Sequence, residues 1–109
     1  ILEMKKAFEE RRNYMVDAIN NVDGVSARKP HGAFYIMMNI EKLLDKSYNG
    51  VKIDNVDNLC ELLLSEVKLA LVPGSGFGAP NYVRWSYATS MENIKEGISR
   101  LEKFTSSLK

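Results

Sequence analysis

Apolar residues recur with the period of a helix in some stretches of this chain and with the period of a strand in others. Leu2, Phe8, Met15, Ile19 and Val22 fall at helical spacing, with Met4, Ala7, Tyr14 and Ala18 beside them. Glu3, Lys6, Glu9, Glu10, Arg12 and Asp17 fill the opposite face. This pattern predicts a long amphipathic helix to Asn21, with Gly24 free to take positive φ just past its end. Val25 to Arg28 half alternates and reads as an edge strand before Pro30. Ala33 to Ile40 is a nearly continuous apolar run after a glycine, which predicts a strand buried on both faces.

Glu41 to Lys46 suits a helical turn, and the polar stretch Ser47 to Lys52 suits a loop. Asp54 or Asn55 can cap a second helix from about Val56 to Ser65, apolar over a wide arc and therefore well covered. Lys68 to Val72 reads as a strand stopped by Pro73, followed by a loop dense in Gly and Pro up to Asn81. Tyr82 to Ala88 alternates by twos: Val83, Trp85 and Tyr87 on one face, Tyr82, Arg84, Ser86 and Ala88 on the other. Thr89 and Glu92 form a T-x-x-E capping box for a last helix carrying Ile94, Ile98, Leu101, Phe104 and Leu108 along one side. Consecutive strands near the end imply an α+β two-layer domain, with helices packed on a small, partly antiparallel sheet of three to four strands.

Composition narrows the function classes. The chain has 109 residues, 45% of them apolar, enough for one core. Its 15 basic and 14 acidic residues are scattered, so no basic stripe marks a nucleic-acid partner. No run approaches the about 18 apolar residues that suggest a membrane span. Cys60 is the single cysteine, so no disulfide can form within the chain, which suits a reducing compartment. Its helical neighbours Val56, Leu63 and Leu64 make it a small buried hydrophobe rather than a nucleophile. His31 has no His or Cys partner at ligand spacing, and no metal site is expected. The opening Ile1-Leu2-Glu3-Met4 reads as mid-helix, so the chain is expected to begin inside a larger protein.

Arg84 and the glycine-rich loop are the informative chemistry. A guanidinium between Val83 and Trp85 must reach solvent, a partner acid or a ligand, because burying it alone costs several kcal/mol. It is either a solvated or salt-bridged arginine or a fork for a carboxylate, whose two oxygens match its parallel N–H groups. Gly74-Ser75-Gly76-Phe77-Gly78 leads into a strand rather than a helix, which argues against a phosphate cradle. It is either a flexible connection or a backbone that passes close to a ligand. Gly32 admits the same two readings, and Phe34 and Tyr35 should point to opposite faces.

Four landmarks in order carry a resemblance across nearly all of the chain. They are Arg11-Arg12 on a long helix, Pro30-His31-Gly32-Ala33-Phe34-Tyr35, Val72-Pro73-Gly74-Ser75-Gly76-Phe77-Gly78, and a closing pattern. That pattern runs from Arg84, Ser86, Tyr87 and Ala88 through Ser90, Glu92 and Ile94 to Glu96, Gly97, Arg100 and Leu101. Together they resemble the class I/II aminotransferases, the aspartate-aminotransferase-like branch of fold type I. The resemblance implies that residues 1–109 are the C-terminal small domain, without the large cofactor-binding domain. It implies that Arg84 binds the α-carboxylate of an amino-acid substrate, with Gly32, Phe34 and Phe77 on the substrate side of the interdomain cleft.

The resemblance further implies pyridoxal 5'-phosphate in the intact protein, amino-acid and 2-oxo-acid substrates and a homodimer, while the single cysteine suits a cytoplasmic location. The cofactor lysine, its acidic partner and the phosphate ligands would lie upstream, so this fragment would bind no cofactor and be inactive alone. Two alternatives remain: a free-standing α+β ligand-binding or interaction module, and the same fold in a cofactor-dependent lyase or regulator.

Overall fold

The computed structural model describes residues 2–28, 35–87 and 89–109. Helix α1 (Leu2–Asn20) leads to a short strand β1 (Ser26–Ala27), then β2 (Tyr35–Asn39). A hairpin follows, β3 (Ser47–Tyr48) and β4 (Val51–Lys52), then α2 (Val56–Val67), β5 (Val72–Pro73), β6 (Tyr82–Ser86) and α3 (Met91–Ser106). The main sheet has the order β1-β2-β6-β5, and every pairing in it is antiparallel.

Helices cover one face of this sheet, as the two-layer α+β reading expects. Ile36 and Met38 of β2 and Val83 and Trp85 of β6 point inward, joined by Tyr87 just past the strand. They meet Met15 and Ile19 of α1, Leu59 and Leu63 of α2, and Ile94, Ile98, Leu101 and Phe104 of α3. Alternation along β6 is as the sequence predicts: inward residues buried, Tyr82, Arg84 and Ser86 outward.

The described part of the Ala33–Ile40 run is a correction. It is not buried on both faces, because Tyr35 is exposed and Met37 and Asn39 are half-buried. Among the described residues the helices form one layer, on the other face of the sheet, and the Tyr35 side of β2 is not covered by a helix. The Ser47–Lys52 stretch is also no loop. It is a tight hairpin turning at Asn49 and Gly50, both at positive φ (48° and 85°), the signature of a type I′ turn. The end of the chain seals it, Ser47 and Lys109 exchanging both backbone hydrogen bonds at 3.0 Å.

Helix ends explain two further differences. Asn55 caps α2 by accepting from the Asn58 N–H at 2.8 Å. At the other end Lys68 takes φ 59°, and the Lys68 and Leu69 N–H groups both return to the Leu63 carbonyl. That helix cap consumes the start of the predicted Lys68–Val72 strand, of which only Val72–Pro73 pairs. For α3 the cap is Ser90, not Thr89: the Ser90 hydroxyl accepts from the Asn93 N–H at 3.1 Å. Thr89 instead accepts from the Asn93 side chain.

Candidate functional site

Arg84 lies in the middle of the four-stranded sheet, flanked in register by Met37 on β2 and Val72 on β5. Residues opposite one another in an antiparallel sheet share a face. Arg84, Met37 and Val72 therefore stand together on the side away from the helices, with Tyr35, Tyr82 and Ser86. Tyr35, Val72 and Tyr82 are among the exposed large apolar residues. Arg84 is half-buried among them, its Cζ 4.7 Å from the centroid of the Tyr35 ring. A positive charge thus stands in an apolar, solvent-open surface, where an anion meets less competition from water than at a fully hydrated site.

The glycine-rich loop begins one step along the same edge. β5 ends at Pro73 and runs directly into a short 3-10 turn, Gly74–Phe77. Gly74 is buried, and a side chain there would run into the Ala79 and Tyr82 carbonyl oxygens. The Ala79 N–H donates to the Gly74 carbonyl at 2.8 Å, and Gly78 closes the turn at φ 81°. Ser75 Oγ donates across to both carboxylate oxygens of Asp57 on α2, 2.9 Å each. The loop is therefore a folded turn fastened to α2, not a flexible connection. Gly74 is required by close packing within its own chain.

The structure thus brings Arg84 and the backbone of the Phe77 turn onto adjoining strands. Phe77 closes the turn, and its side chain lies outside the described part. Gly32 and Phe34 lie outside the described residues. Tyr35 and the Ser75–Asp57 pair were not singled out in the sequence. Tyr35 stands on the same face as Arg84 only once the β2–β6 register is known, and Asp57 reads in sequence as an ordinary helix-start acid.

Other chemistry is accounted for. Cys60 is 8% exposed, and burial, with Asp57 adding to it, pushes its thiol up to about 11. A thiol that stays protonated is a poor nucleophile. Among the described residues no cluster of His, Cys, Asp and Glu could hold a metal, and no helix is long and apolar enough to cross a membrane. A groove of about 660 Å³ lies between the end of α1 and α3, beside Asp23, Lys46 and Lys103, and none of the residues that line it stands on the described part of the Arg84 face.

The family model for aminotransferase class I and II matches residues 1–101. An aspartate aminotransferase of Streptomyces avermitilis is 39% identical over 109 residues, covering all of this chain and 27% of that protein. A probable aspartate/prephenate aminotransferase of Aquifex aeolicus is 44% identical, over 93% of this chain and 24% of that protein. The crystal structure of the aspartate aminotransferase from Rhizobium meliloti superposes with a TM-score of 0.95 at 35% identity, covering 98% of this chain and 27% of that one. The chain spans about a quarter of the length of these relatives.

Proposed function

The chain belongs to the class I and II aminotransferases, and from that premise we propose that it is the substrate-binding C-terminal small domain of an enzyme exchanging an amino group between an amino acid and a 2-oxo acid. One observation carries the reading: Arg84 stands on the sheet face that no described helix covers, beside Tyr35, Met37 and Val72. A guanidinium held there can grip an α-carboxylate through two parallel charge-assisted hydrogen bonds. Fixing that carboxylate fixes the direction of the bond from Cα to hydrogen, a positioning contribution to the reaction. The apolar neighbours lessen the competition from water for the charge. The fastened turn at Gly74–Phe77 follows the strand beside it; a place for Phe77, Gly32 and Phe34 on the substrate side rests on the family resemblance.

Pyridoxal 5'-phosphate is the cofactor proposed for the intact enzyme, and it supplies the electron sink when bound. The described residues of this chain do not fit a seat for it. Every described lysine is exposed, whereas a lysine that condenses with a carbonyl needs a site that lowers its pKa. The Gly74–Phe77 turn runs into a strand, not a helix N-terminus that could cradle phosphate. The reading assigns the cofactor's ligands to the part of the family's length that this chain does not span. Relatives named for aspartate make L-aspartate the first donor to try. A cytoplasmic location rests on the lone cysteine, and a homodimer rests on family resemblance.

Steady-state kinetics of the protein that contains this chain tests the assignment. Arg84→Ala removes a charge-assisted pair worth about 2–5 kcal/mol when truncated, and should lower kcat/KM for L-aspartate accordingly. Arg84→Lys keeps charge without the fork and should fall between. Wild-type kinetics in Arg84→Ala would sink the reading.

A further inference from the structure

We infer that Tyr35 is a positioning residue for Arg84: its ring is the platform that sets the plane of the guanidinium, and so the direction from which a carboxylate is gripped. The inference rests on the proposed role of Arg84 as the carboxylate fork.

The sheet register builds the platform. Tyr35 lies opposite Ser86, and Arg84 is two residues back along β6 on the same face. Tyr35 is thus the diagonal neighbour of Arg84, a relation in which an aromatic ring and a long side chain can reach each other. The contact is made, with Arg84 Cζ 4.7 Å from the ring centroid. It is closer than the Arg11–Phe8 and Lys95–Tyr14 contacts, both at 5.5 Å on helices.

The chemistry of the two contacts is compatible. A ring attracts the face of a guanidinium, while a carboxylate meets its N–H edge. Stacking therefore leaves the fork geometry intact and removes rotamer freedom that a carboxylate would otherwise have to freeze. Tyr35 is 42% exposed, so replacing it removes little core packing, and an effect on binding can be read apart from stability.

The test uses the protein containing this chain, loaded with its cofactor, with L-aspartate and a 2-oxo-acid acceptor. Tyr35→Phe should stay within about twofold of wild type, since the ring is kept. Tyr35→Leu should lose roughly three- to thirtyfold in kcat/KM, mostly through KM, at an unchanged thermal midpoint. In an Arg84→Ala background the same Tyr35→Leu change should cost no more than about twofold, because the platform then has nothing to hold. Tyr35→Met serves as a second ring-free variant should Leu fail to fold. Wild-type kinetics in the ring-free variants, a loss in Tyr35→Phe equal to theirs, or a full loss in the Arg84→Ala background would each overturn the platform while leaving the fork standing. An unaffected Arg84→Ala would instead remove the proposed function beneath it.

Discussion

Cys60 illustrates what burial does to a single residue. It sits on α2 among apolar neighbours, and its thiol is pushed from the ordinary 9.0 to about 11, first by burial and then by the negative charge of Asp57. In the unfolded chain the thiol regains its ordinary value. Below about pH 9 both states keep the proton and the difference has no effect on stability. Between about pH 9 and 11 the unfolded state releases its proton while the folded state holds it, so stability falls as pH rises. The full loss is on the order of 2–3 kcal/mol. Denaturation at pH 8 and pH 11 in wild type and Cys60→Ala should show it, with the alanine variant losing less of its stability over that range. A thiol reagent at pH 8 should also react far more slowly with the native chain than with the unfolded one. At this scale much was legible: Arg84 stood out as a charge inside an alternating apolar strand, and Cys60 as a small hydrophobe.

Elements meet through a few side chains that close each other's ends. Asn20 of α1 bonds both the N–H and the carbonyl of Ala27, so the outer edge of β1 is occupied by a side chain. Arg100 of α3, braced by Glu96 at 3.0 Å, donates at 2.8 Å to the Lys68 carbonyl where α2 ends. Gly97 beside it lets α3 settle on Trp85, since a Cβ there would stand 3.0 Å from the Trp85 ring. The Glu96-Gly97 and Arg100-Leu101 pieces of the closing pattern thus have structural work, apart from any ligand. Arg100→Ala should cost about 1–3 kcal/mol, as expected for losing a hydrogen bond from a charged donor. Chemical denaturation followed by the fluorescence of Trp85, the single tryptophan, measures it. Faster hydrogen exchange at the Leu69 amide would locate the damage at the α2 cap.

Among the described residues, the helices lie in one layer on one side of the sheet, and on its opposite face Tyr35, Val72 and Tyr82 are exposed around Arg84. Every described lysine projects to solvent. Mixed alone with pyridoxal 5'-phosphate, the chain should therefore give no specific, stoichiometric lysine adduct, and no turnover of L-aspartate. Absorbance titration with borohydride trapping and mass spectrometry checks this. One modified lysine at full occupancy would contradict the division between a substrate face here and a cofactor seat elsewhere.

The hydrophobic periods alone determined the helices, the inward face of β6 and the two-layer α+β class, because burial must follow the repeat of the backbone. The ordered landmarks alone carried the family resemblance, with Arg84 as its chemical center. Tertiary structure decided which apolar face of β2 is covered, because an apolar run is the same whether one layer or two will pack on it. It decided that Asn49-Gly50 turns a hairpin, since its two-residue strands are too short to show alternation. It decided that Ser90 rather than Thr89 caps α3, because capping depends on backbone angles that both residue types can adopt. And it decided that Tyr35 lies against Arg84, because strand register joins residues that the sequence holds far apart.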